Sequence, residues 1–311
     1  MNISADMQSA WTEYWKGGPT ESLPEDRASG LLGALDSAWE EFFRELPDGA
    51  PVLDLATGGG DVLRKAVAAG RNFHLCGVDI ADLSAVAASF QQPEIRFTGN
   101  IDLTSLPFPD AAFDAVTSQF GFEYADRAAA AREAIRVMAP GGRGRFVVHH
   151  AASAVTRGSE SSLAAYRAVF PDNTVFQLGR AMFECYQTAS HPSVAAEAET
   201  RFRAAVAELP RRLQNERAFG VARNVVGFLA QLASAPRSLP PSEGLHRLNV
   251  VERYNDGRNL RKQAQVEAAL DRDGLGRLRE YLTAAGATVE QPKELTYLGG
   301  RLLAWSCSFR K

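Results

Sequence analysis

The sequence predicts an α/β fold with a doubly wound, mostly parallel sheet. Short apolar runs bounded by Gly, Pro or Asp are typical of strands buried on both faces, and amphipathic segments separate them. Alternation of this kind favours parallel strands joined by helical crossovers. A glycine triplet in VLDLATGGGD (52–61) follows the first apolar run and predicts a tight turn at the carboxyl end of a strand.

The elements follow in order along the chain. Strands are predicted at four apolar runs, 52–55, 73–79, 113–117 and 145–149. Helices are predicted over 61–70 and 126–138, and the breakers Pro140 and Gly141 end the second one. A helix over 271–285 then precedes TVEQPKELTYL and RLLAWSCSFRK, which predict a terminal antiparallel pair.

Residues 151–268 interrupt the alternation. Apolar residues recur there at three- and four-residue spacing between proline-containing breaks. This spacing predicts a helical insertion after the strand at 145–149, which we count as the fifth strand of the sheet. We expect this insertion to form a lid over an acceptor pocket, because ligands of open α/β sheets bind at the carboxyl edge. The predicted organisation is therefore a helical cap, a ligand-binding core, the insertion and a completion of the sheet, at 1–45, 46–150, 151–268 and 269–311.

Composition limits the function classes. The formal charge of −3 and pI of about 6.0 give no basic field for holding nucleic acid or an anionic membrane. No apolar stretch approaches the length of a membrane span, and the N-terminus lacks the pattern of a signal peptide, so we expect a cytoplasmic protein. The scattered Cys76, Cys185 and Cys307 indicate neither a disulfide framework nor a metal site.

The glycine triplet raises the question of its ligand. A dinucleotide site needs G-x-G-x-x-G, but counting from Gly58 puts Leu63 at the last glycine position. A phosphate loop needs Gly-Lys-Ser/Thr, which does not follow the triplet. Both readings are weakened, and a nucleoside ligand without phosphates is favoured.

Four motifs in order carry a family resemblance: VLDLATGGGD, LCGVDI (75–80), LPFPDAAFDAVTSQFGFEY (106–124) and REAIRVMAPGGRGRFVVHH (132–150). Together they resemble the class I S-adenosylmethionine-dependent methyltransferases, in the branch that includes ubiquinone/menaquinone C-methyltransferases and small-molecule O- and N-methyltransferases. The resemblance implies a Rossmann-like, seven-stranded sheet. It also implies S-adenosyl-L-methionine as the methyl donor and S-adenosyl-L-homocysteine as the product.

The resemblance also implies donor contacts. Asp79 ends the second strand and would bind the ribose hydroxyls, although a helix N-cap is an alternative role. Asp54 and the glycine backbone would hold the methionine end, Ala56 stands where many members have glycine, and the adenine would lie near GNIDLT. The implied donor contacts are Asp54, Ala56, Gly58, Gly60, Asp79, Ile80, Asn100, Ile101, Asp102, Gln119 and Phe120.

Acceptor contacts and a base are expected beyond the fourth and fifth strands. His150 is the leading candidate for a general base and His149 the second, with packed histidines as the alternative. Glu123 is an independent candidate, with a helix cap as its alternative. Phe122 and Tyr124 are predicted to bind the acceptor, as are Trp11, Tyr14 and Trp15, which form either an aromatic lid or a stripe that docks the first helix.

Three functions stay open from the sequence. The first is methyl transfer to a small aromatic hydroxyl, amine or activated carbon. The second is methylation of tRNA or protein, held by the Arg-rich insertion through the basic clusters 211–217 and 258–262, although nucleic acid is disfavoured by the overall charge. The third is a methyltransferase-like binding module without turnover. A homodimer is compatible with each of these functions.

Overall fold

A computed structural model describes residues 5–17, 31–90, 95–188, 191–213 and 220–311. The chain forms two compact units. The first comprises Met1–Arg157 with Ala264–Lys311, and the second is Gly158–Gln263.

The first unit is built on one sheet. Its strands are β1 (Pro51–Leu55), β2 (His74–Val78), β3 (Ile95–Thr98), β4 (Phe113–Gln119), β5 (Met138–His149), β6 (Thr288–Val289), β7 (Lys293–Tyr297) and β8 (Arg301–Arg310). Their order is β3-β2-β1-β4-β5-β8-β6, and β7 also pairs with β8. Strands β1 to β5 are parallel to one another. β8 is antiparallel to the three strands with which it pairs, β5, β6 and β7. The predicted doubly wound, mostly parallel sheet is confirmed.

The sheet has one strand more than the implied seven. β6 and β7 pair with the same edge of β8, Val289 opposite Phe309 and Lys293 opposite Ser306. Pro292 lies between them and has no N–H to donate to β8, so the ladder is interrupted there. The two short strands therefore occupy one position in the sheet. β3 was absent from the predicted strands, because Arg96 and Thr98 alternate with its apolar residues and IRFT is not a continuous apolar run.

Helices cover the sheet as the alternation predicts. Those of the first unit are α1 (Ala5–Lys16), α2 (Leu31–Arg44), α3 (Asp61–Ala68), α4 (Ser84–Ser89), α5 (Arg127–Val137) and α11 (Arg272–Ala284). The Asp126 side chain caps α5 by accepting the N–H of Ala129. The chain becomes extended at Met138, and the APGG stretch forms an irregular start to β5 where the register with β4 shifts.

Two apolar clusters fill the core of this unit. In one, the ring of Phe122 stacks on Phe146 with centroids 4.2 Å apart, and both rings are fully buried. In the other, Trp39 and Phe43 of α2 pack with the β1 and α3 side chains. These clusters hold rigid strands whose carboxyl ends carry the candidate site.

The second unit is helical. It contains most of α6 (Ala154–Val169) and α10 (Pro241–Ala268) and all of α7 (Thr174–Gln187), α8 (Pro192–Arg212) and α9 (Gly220–Ser234). Its separate core includes the fully buried Phe176, Phe183 and Phe202. The predicted helical insertion is confirmed, whereas its role as an acceptor lid stays a prediction. The basic cluster 258–262 lies in α10, and residues 214–217 of the other cluster lie outside the described residues. No helix of the described ranges is long and apolar enough to cross a membrane.

Candidate functional site

The glycine turn after β1 has the conformation that its sequence predicts. Gly58 and Gly60 have φ angles of +50° and +77°, in the left-handed region that favours glycine. A Cβ on Gly58 would lie 2.2 Å from the Trp15 ring, and one on Gly60 would lie 2.8 Å from the Phe90 ring. Both positions therefore require glycine for their backbone conformation and for close packing.

Ala56 begins the same turn and also has a positive φ, 52°, at the place where the resemblance puts glycine. A Cβ on Gly121 would lie 2.3 Å from the Ala56 Cβ. The loops that follow β1 and β4 therefore touch at these two residues. The Ser118 hydroxyl reinforces this contact by donating to the Leu55 carbonyl at 2.8 Å.

Asp79 ties the second strand to the glycine turn. Its Oδ2 accepts the N–H of Gly58 at 2.9 Å, and its Oδ1 accepts the N–H of Ala81 at 2.9 Å. Asp79 does not cap α4; Asp82 accepts the N–H of Ser84 there. The helix-cap alternative for Asp79 is wrong, and the carboxylate lies at the carboxyl end of β2 as the ribose role requires.

Three buried carboxylates give this edge of the sheet a negative character. Asp54 is 1% exposed, and its Oδ1 accepts the hydroxyl of Thr117 at 2.8 Å. Burial raises the pKa of Asp54 to about 7, and the neighbouring charges of Asp61 and Asp79 act in the same direction. Burial also raises the pKa of Asp79. A ligand with a positive group would relieve this repulsion.

The expected adenine region lies beside Asp79. Ile101 donates its N–H to the Asp79 carbonyl at 2.8 Å, and Asn100, with a φ of 60°, donates its N–H to the Ala81 carbonyl at 3.1 Å. Asp102 is exposed, and its Oδ1 accepts both the N–H and the hydroxyl of Thr104 at 2.8 Å. The structure thus brings Asn100 and Ile101 together with Asp79, whereas Asp102 stabilises its own turn.

The N-terminal aromatic residues lie against this edge. Trp15 contacts Gly58, and the Trp11 ring meets the Tyr124 ring edge to face at 5.7 Å. Tyr14 packs edge to face on Trp15 at 4.8 Å. The three aromatic residues predicted as a lid therefore form one cluster over the ends of β1 and β4.

Gln119 has a different environment from the predicted one. Its Oε1 accepts the indole N–H of Trp39 at 2.6 Å, and its Nε2 donates to Asp61 Oδ2 at 2.9 Å. Asp61 in turn pairs with Lys65 at 3.0 Å. The amide thus joins α2, β4 and the start of α3, next to the glycine turn.

Phe122 also departs from its expected role. It is fully buried in the core against Phe146, so an acceptor has no access to its ring. Phe120, with a φ of 55°, instead stacks on His149 with centroids 4.4 Å apart. Tyr124 approaches the same imidazole edge to face at 6.2 Å. Phe120, Tyr124 and His149 therefore line one side of the β4 and β5 ends.

The adjacent histidines point to opposite faces of β5. His150 stacks on Trp305 at 4.4 Å, its Nδ1 accepts the N–H of Ala152 at 2.9 Å, and its Nε2 lies 3.8 Å from Glu294. This ring lies on the other side of β5 from Phe120, so the two candidate histidines have different surroundings. Burial lowers the pKa of His149 to about 3, so the imidazole beside Phe120 is neutral at neutral pH.

Glu123 lies next to His149. Its Oε1 accepts the backbone N–H of His149 at 2.8 Å, and within the described residues its buried Oε2 has no hydrogen-bond partner. Burial raises the pKa of Glu123 to about 7. The helix-cap alternative is wrong, because Asp126 caps α5. A buried carboxyl group with a pKa near neutrality is suited to proton transfer.

These residues fit the donor that the resemblance implies. The glycine turn brings backbone N–H groups to the carboxyl end of β1, and the Asp54, Asp61 and Asp79 carboxylates suit an ammonium group and ribose hydroxyls. Within the described residues, no group of three or more His, Cys, Asp or Glu side chains is arranged to hold a metal ion.

Comparison with known proteins defines the class. Residues 52–142 match the family described as methyltransferase domain. A demethylmenaquinone methyltransferase of Thermus thermophilus is 44% identical over 97 residues, which cover 30% of this chain and 44% of the relative. A ubiquinone/menaquinone biosynthesis C-methyltransferase of Methylobacterium nodulans is 37% identical over 122 residues, 37% of this chain and 45% of the relative. The chain spans less than half the length of these two curated relatives.

A solved structure is similar over most of the chain. The Burkholderia thailandensis 1,6-didemethyltoxoflavin-N1-methyltransferase, with bound 1,6-didemethyltoxoflavin and S-adenosylhomocysteine, covers 99% of this chain and 88% of its own, with 11% identity and a TM-score of 0.48. A similarity with so low an identity and TM-score gives no information about the site. The domain match and the sequence relatives confirm that residues 52–142 form a class I S-adenosylmethionine-dependent methyltransferase domain. Within that class, the two relatives described above are named as quinone methyltransferases.

Sequence reasoning did not single out Gln8, Thr12 or Trp39. Gln8 and Thr12 share helical spacing with Trp11 and Trp15, so the face that they form was present in the sequence. Trp39 lies in a predicted helical cap, but its bond to Gln119 spans 80 residues along the chain and has no local pattern.

Proposed function

We propose that this protein transfers the methyl group of S-adenosylmethionine to a small-molecule acceptor. The observation that carries the proposal is the bond between the Gly58 N–H and Asp79, which joins a glycine turn to a strand-end carboxylate inside the methyltransferase domain. In this proposal Asp79 binds the ribose, and the turn and Asp54 bind the methionine end. The ammonium group of the donor then offsets the charge that burial makes unfavourable at Asp54.

When bound, the donor would supply an electrophilic methyl group for in-line attack by the acceptor nucleophile, with cleavage of the C–S bond and S-adenosylhomocysteine as the leaving group. The residues of this chain align the acceptor and take its proton. We infer that Glu123 Oε2 accepts that proton, because this oxygen is buried and has no hydrogen-bond partner within the described residues, and because the carboxyl group has a pKa of about 7. His149 stays neutral beside it and is available for a hydrogen bond to the acceptor.

The acceptor in this proposal is a small aromatic hydroxyl, amine or activated carbon. The rings of Phe120, Tyr124 and His149 offer apolar faces on which a planar acceptor would stack. The names of the sequence relatives support an acceptor of the quinone type. Glu123 and His149 favour an acceptor that loses a proton on methylation.

Donor binding tests the first part of the proposal. We expect calorimetry to detect binding of S-adenosylhomocysteine, and Asp79→Ala to weaken it by about 1.5–3 kcal/mol through loss of charge-assisted hydrogen bonds. Asp82→Ala is the matched control, because Asp82 lies on the same loop but bonds to Ser84. Binding of NAD in place of S-adenosylhomocysteine would overturn the proposal.

The pH dependence of turnover tests the second part. The acceptor would first be identified by mass spectrometry, as a molecule in cell extracts that gains the mass of one methyl group when enzyme and S-adenosylmethionine are added. With it, kcat should rise through a pKa near 7 in the wild type, and Glu123→Gln should remove that limb and lower kcat roughly 100- to 10,000-fold at unchanged donor affinity. Glutamine keeps an oxygen for the His149 N–H. His150→Ala is the control; a larger loss there than in Glu123→Gln would restore His150 as the base.

A further inference from the structure

Helix α1 contacts the loops that follow four parallel strands. Trp15 contacts Gly58 after β1, and Thr12 Oγ1 accepts the N–H of Asp82 after β2 at 3.0 Å. Gln8 reaches Asn100 after β3, and Trp11 meets Tyr124 after β4. These loops form the edge at which open α/β sheets bind ligands. The helix therefore lies on the proposed donor edge of the sheet.

Gln8 makes the polar contacts nearest to the expected adenosine position. Its Nε2 donates to the Ile80 carbonyl at 2.9 Å and to Asn100 Oδ1 at 2.9 Å. One amide nitrogen has two N–H groups, so these two bonds use both of them. Ile80 and Asn100 are both among the donor contacts that the sequence predicts. Gln8 thus connects the two strand ends that flank Asp79.

Several contacts hold α1 in place. Ala10 is buried, and the aromatic rings of the helix are half-buried. The two hydrogen bonds of Gln8 are those that attach α1 to Ile80 and Asn100. Their loss should weaken the attachment of α1 at the expected adenosine position.

We propose that Gln8 is a positioning residue that latches α1 over the bound donor. The proposal rests on the proposed function, because the latched edge is the donor edge. In the closed state Gln8 fixes the Asn100 side chain and the Ile80 carbonyl, and α1 covers the glycine turn through Trp15. Donor release then requires the two Gln8 bonds to break.

Donor binding and closure of α1 must affect each other equally, and this coupling can be measured. If closure of α1 strengthens donor binding, donor binding must stabilise closed α1 by the same factor. Binding of S-adenosylhomocysteine should therefore slow amide hydrogen exchange in residues 5–16. Loss of the latch should speed dissociation of S-adenosylhomocysteine without changing the rest of the site.

The experiment compares Gln8→Ala and Gln8→Glu with Ser9→Ala. Glutamate has the shape of glutamine but no N–H groups, and Ser9 is an exposed residue of the same helix. The measurements are the dissociation rate of S-adenosylhomocysteine and hydrogen exchange of residues 5–16 with and without it. We expect S-adenosylhomocysteine to dissociate about tenfold faster from both Gln8 variants, which is the effect of losing one to two neutral hydrogen bonds. The ligand should also protect the amides of residues 5–16 from exchange less in these variants than in the wild type. Ser9→Ala should match the wild type.

Wild-type dissociation rates in both Gln8 variants would overturn the latch while leaving the proposed function intact. The same holds if S-adenosylhomocysteine binds but leaves exchange in residues 5–16 unchanged. Failure of the wild-type protein to bind S-adenosylhomocysteine would overturn both. Native circular dichroism of each variant shows that a changed rate does not come from unfolding.

Discussion

Helices α1 and α2 both carry aromatic residues at helical spacing, yet they are held to the first unit in different ways. In α2 the Trp39 and Phe43 rings are 0% exposed, and the Trp39 indole donates to Gln119. In α1 the rings of Trp11 and Trp15 are half-buried and contact loops. The difference lies in how deeply the rings are buried, since the aromatic content of the two helices is similar.

The surfaces beneath the two helices explain this difference. The α2 rings belong to an apolar cluster that includes Val52 and Leu63, and a ring buried there gains the free energy of leaving water. α1 instead contacts glycine backbone, a carbonyl oxygen and the Asn100 amide. It also meets the Tyr124 ring through Trp11. α2 is thus part of the folded core, whereas α1 lies on the strand-end loops where our proposal places the donor.

The largest expected effect is at Trp39. Trp39→Ala removes a fully buried indole and leaves the Gln119 Oε1 without this donor, so we expect the free energy of unfolding to fall by about 3–5 kcal/mol. Urea denaturation followed by circular dichroism measures this loss. Trp39→Phe separates the two causes, because it keeps most of the apolar volume and removes only the hydrogen bond. If Trp39→Ala lowers the free energy of unfolding by less than about 1 kcal/mol, the deeper burial of the α2 rings does not make α2 more important for stability than α1.

The sequence predicted the elements with strong periodicity. β1 and β2 were predicted because they are apolar on both faces, and the strand–helix alternation predicted the parallel sheet correctly. β3 was missed because IRFT is partly exposed and lacks a continuous apolar run. The WTEYW stretch showed that α1 has an aromatic face, but periodicity does not reveal what a face packs against.

The site was predicted in part for the same reason. Asp79 and the glycine turn lie in two separate motifs, each at the carboxyl end of a predicted strand, so the family resemblance implied that they are close. Adjacent residues of a strand point to opposite faces, but only the tertiary structure shows that His149 faces Phe120 while His150 faces Trp305. The Gln119 bonds to Trp39 and Asp61 are equally non-local. Roles that depend on a partner distant in the chain were outside the reach of local patterns.

The next largest expected effect is at Asp54, a buried carboxyl group at the carboxyl edge of the sheet, where burial has a cost that the apolar surface beneath α2 does not have. Because the folded-state pKa of Asp54 is about 7 and the unfolded value is near 3.8, the folded protein binds the proton more tightly between these pH values. The contribution of Asp54 to stability therefore falls as pH rises from about 4 to 7 and is constant above that range. We expect Asp54→Asn to stabilise the ligand-free protein by about 1–2 kcal/mol at pH 8.

The same substitution should weaken S-adenosylhomocysteine binding, because the amide has no charge for the ammonium group of the ligand. Wild-type affinity should increase from pH 6 to 7.5 as Asp54 ionises, and the variant should lose that increase. Glu123 titrates in both proteins over this pH range, so the difference between the two isolates Asp54. Thermal denaturation at pH 5 and pH 8 with calorimetry measures both effects. Equal stability of the two proteins at pH 8 would show that Asp54 carries no burial penalty.

The smallest expected change in stability is at Trp15, and it tests the comparison directly. Trp15→Ala removes a half-buried ring from the edge of the first unit, so we expect the free energy of unfolding to change by less than about 1 kcal/mol. Donor binding should suffer more than stability, because the ring contacts Gly58 in the glycine turn. Urea denaturation and S-adenosylhomocysteine calorimetry on the same preparation separate the two quantities. If Trp15→Ala destabilises the protein as strongly as Trp39→Ala and leaves affinity unchanged, α1 belongs to the core in the same sense as α2 and does not act as a cover.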